Sequence, residues 1–253
     1  MKLSINLNKI ALLRNSRGSN NPDIEVFAKI ALDHDILGLT VHPRPDERHI
    51  NFNDLLKIKT LTSNFEKEFN IEGNPIEQPV NNYIGFKQII NKFKPTQATL
   101  VPDSTDQLTS DHGWRLEEIN NADFTNEIKT ACNRCSIFID AGTDLSELKN
   151  KDIDSIEIYT GPYANAFELN DYKKLDEEIE KIIFTCKSAK SYGLRINAGH
   201  DLNLLNLPKL VSLGYIDEVS IGHAIISESL TKGFKNTINQ YLSLIHISEP
   251  TRR

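Results

Sequence analysis

The sequence predicts a closed (β/α)8 barrel of the TIM-barrel class, an α/β fold with a parallel eight-stranded sheet inside a ring of helices. Three observations lead there. Eight short strand-like runs recur along the chain, amphipathic helical segments separate them, and the 253 residues match the roughly 250 typical of one such barrel. No Gly-x-Gly-x-x-Gly follows the first strand, so a closed barrel is favoured over an open doubly wound sheet.

The strands are expected at Lys2–Asn6, Gly38–His42, Phe69–Glu72, Gln97–Val101, Ser136–Asp140, Ser155–Tyr159, Arg195–Ala198 and Glu218–Ile221. Most read as apolar at nearly every position, the pattern of parallel strands buried on both faces. Between them, Val80–Phe93 sets Ile84, Ile90 and Phe93 on one helical face and stops before Pro95. Leu175–Tyr192 aligns Leu175, Ile179, Ile182, Ile183 and Cys186 against a charged face, with Gly193 at the C′ position. Ile225–Leu244 repeats the period through Ile226, Leu230, Phe234, Ile238 and Leu242. Residues 1–244 are therefore expected to form one domain. Residues 245–253 break the helical period and end in Pro and two Arg, and are expected to be a non-native or disordered tail.

Composition narrows the functional classes. The net charge of −6 opposes general nucleic-acid binding, which needs a basic footprint, but leaves room for phosphorylated metabolites held by a few local Arg and His. No run approaches the roughly 18 apolar residues of a membrane span, and no signal-peptide core opens the chain. Cys132, Cys135 and Cys186 read as reduced thiols in a cytoplasmic protein. The Cys132-x-x-Cys135 pair leads into a strand and lacks a second pair, so no metal is expected there.

Barrel active sites lie at the C-terminal ends of the strands. His42, Glu72, Glu157, His200 and His223 all fall there, and carboxylates set among imidazoles on neighbouring strands are what general acid–base chemistry requires. Arg14, Arg17, Arg44 and Arg48 crowd the loops after the first two strands. Their readings are a solvated rim or a bidentate phosphate clamp. Gly199 and Gly222 allow backbone N–H groups to approach an anion after strands seven and eight, where barrels often bind phosphate. The long polar connection 102–121, with Thr109 and the single tryptophan, Trp114, is expected to be a lid.

Together the segments Ile-Asn-x-Asn-Lys-Ile-Ala-x-Leu-Arg-Asn-x-Arg-Gly (5–18), Thr-Val-His-Pro-Arg-Pro-Asp-Glu-Arg-His-Ile (40–50), Asn-Ile-Glu (70–72), Thr-Leu-Val-Pro (99–102), Ile-Glu-Ile-Tyr-Thr-Gly-x-Tyr-Ala (156–164), Asn-Ala-Gly-His (197–200) and Ile-Gly-His-Ala-Ile (221–225) resemble the pyridoxine 5′-phosphate synthase family, in order, from about residue 3 to 242. The resemblance implies condensation of 1-deoxy-D-xylulose 5-phosphate with 3-amino-2-oxopropyl phosphate to pyridoxine 5′-phosphate, phosphate and water, without cofactor or metal. It implies His42 and Glu72 as proton acceptors, His200 as proton donor and Glu157 as a transition-state support. It places Asn6, Arg17 and the segments Asp201 (with His200) and Gly222–His223 at the amino-ketone phosphate. Arg44, His49 and Thr109 are placed at the sugar phosphate, and Asn8 and Lys9 lie in the first substrate motif. It also implies a symmetric homo-oligomer, commonly an octamer.

Two positions depart from the family's better-known form. Asn8-Lys9 stands where that form has Asp-His, and Asp201 follows Asn-Ala-Gly-His where the family usually has Gly. An Asp201 carboxylate turned inward would repel phosphate. These departures leave a second reading open, an inactive or divergent phosphate-binding barrel.

Overall fold

A computed structural model describes residues 1–121, 124–148 and 152–247. Eight parallel strands close into a barrel in sequence order: β1 Lys2–Asn6, β2 Gly38–Val41, β3 Glu68–Gly73, β4 Gln97–Leu100, β5 Arg134–Asp140, β6 Ser155–Tyr159, β7 Arg195–Gly199 and β8 Glu218–Ile221. The ring is sealed where β8 pairs with β1, Ile221 opposite Ile5. The outer layer comprises α1 Asn8–Asn15, α2 Ile24–Leu32, α3 Phe52–Asn64, α4 Phe86–Phe93, α5 Leu116–Asn121, α6 Phe124–Lys129, α7 Gly161–Glu168, α8 Tyr172–Ser191, α9 Leu207–Leu213, α10 His223–Lys232 and α11 Phe234–Ile247.

The strands are less apolar than expected, and they alternate. Leu3, Ile5, Leu39, Val41, Ile71, Ile137, Ile156, Ile158, Ile196 and Val219 are fully buried in the hydrophobic core between sheet and helices. The intervening residues form a hydrogen-bonded polar lining. Ser4 Oγ meets Thr40 Oγ1 at 2.8 Å, Asn70 bridges Thr40 and Thr99, and Gln97 donates to Thr99. Asn197 on β7 reaches across the barrel to donate to Gln97 Oε1 on β4, at 3.3 Å. Most polar groups inside are thus answered by one another, the condition for burying them at tolerable cost, while Ser136 Oγ and Asn197 Oδ1 are buried without a hydrogen-bond partner among the described residues.

Two expected helices differ in extent. Val80–Phe93 is not continuous: Val80 and Tyr83 exchange backbone hydrogen bonds in a tight turn, and Gly85 at φ +86° blocks helical backbone, so α4 begins at Phe86. The expected Ile225–Leu244 helix is divided by Gly233 at φ +80° into α10 and α11. α11 continues to Ile247, with Ile245 buried in the core. Ser248 to Arg253, the rest of the expected tail, lie outside the described residues. α8 ends as its period predicts, with Gly193 at φ +70° just beyond Tyr192. Cys135 and Cys186 are buried, and Cys132 is half-buried with its thiol on backbone carbonyls. Burial pushes the Cys132 thiol up to about 11, far from a reactive thiolate. No helix among the described residues is long and apolar enough to cross a membrane.

Candidate active site

The strand C-termini surround a cavity of about 1340 Å³ whose walls include Asn6, His42, Glu72, Glu157, His200 and His223. Three of these are tied together at once. Asn6, the last residue of β1, donates through Nδ2 to Glu72 Oε2 at 3.3 Å, and His42 Nδ1 lies 3.8 Å from the same oxygen. Asn6 Oδ1 accepts the Asn8 N–H, and Asn8 Oδ1 accepts the His42 N–H at 2.9 Å. Asn8 therefore braces the backbone that carries His42 while lining the cavity beside Lys9.

The other face of His42 meets a residue that strand-end reading passed over. Nε2 lies 3.2 Å from Asp103 Oδ2, and Arg44 Nη2 lies 3.0 Å from the same oxygen. Burial pushes the Asp103 carboxyl up, but the charge and hydrogen bond of His42, then Arg44 and Ser110, outweigh it and hold it below the usual range. Asp103 is thus a carboxylate that orients His42 with Nε2–H toward itself and Nδ1 toward Glu72. The available signal was the acid directly after Thr-Leu-Val-Pro.

Glu72 and Glu157 are buried cavity carboxyls whose pKa values both rise above the ordinary range. For Glu72 the causes are burial first, then the charges of Glu157, Asp103 and Glu218. For Glu157 they are burial and then Glu218. Two like charges sharing one low-dielectric cavity favour neutral forms. Gly199 gives Glu157 its space, since a Cβ there would come within 2.4 Å of Oε1.

The arginines part company. Arg14 is buried in a bidentate pair with Asp54, at 2.5 and 2.8 Å, and donates to the His49 carbonyl, so it is a structural tie rather than a phosphate clamp. Asp54 also closes the capping box of α3 with Asn51. Arg17 is exposed and does not line the cavity, so the structure does not bring it to the other expected site residues. Arg44 and Arg48 do line it, and both hold the loop after β4: Arg44 donates to the Ser104 carbonyl, Arg48 to those of Thr105, Gln107 and Leu108. That loop carries Thr109 over the cavity, with Oγ1 at 2.9 Å from His200 Nε2. Trp114, expected in a moving lid, is buried, donates to the Leu100 carbonyl at 3.0 Å and packs on Phe124, which makes it the loop's fixed end.

His49 is buried beside His42, ring centres 6.1 Å apart, and its Nδ1 accepts the Ile50 N–H at 3.0 Å. Burial, then the positive charge of His42, Arg44, Arg48 and Lys9, push its pKa down to about 2. The ring is neutral with its proton on Nε2, and so has an N–H to donate without carrying a charge.

Opposite, Gly222 packs against Asn6, and a Cβ there would come within 3.0 Å of the Asn6 Cβ. His223 opens α10, so the positive end of that helix meets the cavity wall, an arrangement suited to an anion. Asp201 also lines the cavity, and its carboxylate pairs with His200 Nδ1 at 2.9 Å. Among the described residues, no group of three His, Cys, Asp or Glu side chains is arranged to hold a metal ion.

Comparison with known proteins fits this geometry. Pyridoxine 5′-phosphate synthase of Xanthomonas axonopodis pv. citri is 41% identical over 98% of both chains. The same-named protein of Chelativorans sp. is 42% identical over 96% of this chain and 98% of its own. Thiamine phosphate pyrophosphorylase from Pyrococcus furiosus (TM-score 0.61, 10% identity, 98% and 96% of the two chains) shares the fold alone. So does a tryptophan synthase A-subunit from that hyperthermophile (0.61, 13%, 95% and 96%). The profile of the family described as pyridoxal phosphate biosynthesis protein PdxJ matches residues 3–247, and the chain belongs to that family.

Proposed function

We propose that this chain catalyses the pyridoxine 5′-phosphate synthase reaction, joining 1-deoxy-D-xylulose 5-phosphate to 3-amino-2-oxopropyl phosphate. The observation that carries the reading is the convergence of Glu72, Glu157, His42 and His200 on one cavity in a chain 41% identical along its length to a synthase of that name. Joining an amine to a ketone and closing an aromatic ring releases one phosphate and two waters, and each bond made or broken needs a proton moved. One cavity holding carboxyls and imidazoles in distinct environments meets that demand.

The environments suggest an order of roles. Burial, then the neighbouring Glu157, Asp103 and Glu218, raise the Glu72 carboxyl above its usual range, which makes it a stronger base than an exposed carboxylate and suits it to accept a proton. His42, turned by Asp103, presents Nδ1 toward Glu72, so that a proton taken from substrate by one can be passed to the other. Neutral Glu157 faces the reacting atoms without adding a charge that would repel two phosphorylated substrates. The loop held by Arg44 and Arg48 shields imine intermediates from water. His49 Nε2–H, Arg44 and Thr109 serve the sugar phosphate. The α10 N-terminus at Gly222–His223, with Asn6 and Lys9, serves the amino-ketone phosphate. The reaction takes place in the cytoplasm, with the chain in a symmetric homo-oligomer.

The test is to mix the purified chain with both substrates and follow the absorbance of a hydroxypyridine together with released phosphate. Equal amounts of the two support the reading. Phosphate without the pyridine, or neither, refutes it.

A further inference from the structure

Asp201 stands at the rim of the cavity, where a free carboxylate would repel a phosphate. It is not free: its Oδ2 lies 2.9 Å from His200 Nδ1, while His200 Nε2 lies 2.9 Å from Thr109 Oγ1 across the cavity. The backbone that allows this meeting is unusual. His200 has φ +87° and Asp201 φ +57°, consecutive left-handed residues without a glycine. Aspartate tolerates that region, but histidine at +87° persists only where its surroundings hold it. They do so here. The Thr160 hydroxyl lies 2.6 Å from both the Gly199 and His200 carbonyls, and Asn206 Nδ2 donates to the Asp201 carbonyl at 3.0 Å. Asn206 is itself fixed, its carbonyl accepting from Tyr163 Oη at 2.6 Å. Three successive carbonyls are pinned so that an imidazole and the carboxylate after it face each other.

We propose that Asp201 is a positioning residue for His200: its carboxylate holds the Nδ1 proton, so that Nε2 alone exchanges protons with substrate. The inference rests on the synthase reading above, in which His200 is the proton donor. A carboxylate on Nδ1 fixes the ring's orientation and tautomer and stabilises the imidazolium from which Nε2–H is given up. In the dehydration of a carbinolamine, that proton passes to the departing hydroxyl. The C–O bond breaks with its electron pair going to oxygen, the nitrogen lone pair forms the C=N bond, and water leaves. His200 is left neutral with its remaining proton on Nδ1, against Asp201.

The same contact answers the repulsion. The hydrogen bond from His200, first, then the charges of His200, His223 on α10 and Lys9 on α1, outweigh partial burial and hold the Asp201 carboxyl below its usual range. Lys9 and Asp201, both departures from the family's better-known form, are therefore opposite charges lining one cavity, and Lys9 is among the charges that favour the Asp201 carboxylate. Tyr159 on β6 completes the surroundings, its ring edge-on to His200 at 5.1 Å.

The experiment compares the full-length parent with Asp201→Asn and Asp201→Glu. Asparagine keeps the left-handed backbone but loses the charge. In Asp201→Asn, kcat is expected to fall by about 10- to 1,000-fold with the KM of both substrates nearly unchanged, and Asp201→Glu to recover part of the loss. Exchange of the His200 ring C2 proton for deuterium, read across pH by peptide mass spectrometry, is expected to shift its midpoint down by about one pH unit in Asp201→Asn. Tyr159, Lys9 and His223 are common to both proteins, so the difference isolates Asp201. An unchanged kcat, a KM effect in place of a kcat effect, or a kcat loss with an unmoved midpoint would overturn the proposal. A parent that makes no product refutes the synthase reading instead, while the exchange midpoint, which needs no turnover, still decides whether Asp201 governs His200.

Discussion

Replacing His49 by asparagine is expected to make the protein more resistant to acid. Burial, then the surrounding positive charge, lower this imidazole from 6.5 to about 2, so the folded protein keeps it neutral through the mildly acidic range. The unfolded chain protonates it near 6.5. Its contribution to stability is therefore complete above pH 6.5 and is lost as pH falls from 6.5 toward 2. At pH 5 the gap to the unfolded value is about 1.5 pH units, which at about 1.36 kcal/mol each is a loss of about 2 kcal/mol. In a chain of this size each kcal/mol moves Tm by about 2–4 °C. Between pH 7.5 and pH 5 the parent should lose about 4–8 °C more than His49→Asn. Asparagine is the right replacement because its Oδ1 can take the place of Nδ1 opposite the Ile50 N–H. An orphaned N–H would cost about 1–3 kcal/mol at every pH. Thermal unfolding followed by circular dichroism at both pH values decides the matter, since the two proteins differ at this position alone. Equal losses in parent and variant would refute a buried neutral His49.

Three further outcomes follow from the geometry. Glu72→Gln should fold normally by circular dichroism and lose about 10²–10⁴ in turnover, the usual worth of a positioned acid or base; near-normal turnover removes it from the mechanism. Arg14→Met should lower unfolding stability by about 3–5 kcal/mol in urea titration, because it strands the buried Asp54 carboxylate, yet leave the KM of both substrates close to the parent's. A selective KM increase would return Arg14 to phosphate binding. Arg48→Ala, which frees three loop carbonyls, should speed proteolysis within residues 103–112; cleavage at the parental rate would show that the loop is held elsewhere.

How legible all this was in the sequence depended on range. Strand positions were readable because each strand is a local run, and His42, Glu72, Glu157, His200 and His223 were readable because barrel topology sends every strand end to one rim. Pairings were not readable. Four arginines close together in sequence looked alike, yet one meets Asp54, two hold the loop after β4, and one lies exposed. Those differences are set by partners 40 to 60 residues away in the chain. Asp103 was hidden for the same reason, since its importance comes from His42 and Arg44 rather than from its neighbours in sequence. The Val80–Phe93 and Ile225–Leu244 helices were misjudged because apolar periodicity does not register the single positive-φ glycines, Gly85 and Gly233, that interrupt them.

The polar lining of the barrel has a consequence for how such a protein can change. The apolar residues that drive folding sit outside the cylinder, between strands and helices, while Asn6, Glu72 and Glu157, which line the cavity, stand on the opposite side of the same strands. Because the two sets occupy alternate positions, a mutation at the cavity end of a strand alters chemistry while leaving the hydrophobic shell untouched, whereas one deeper in the polar lining strands a buried hydrogen-bond partner. Stability and reactivity can therefore drift separately at the rim, but not in the buried lining beneath it.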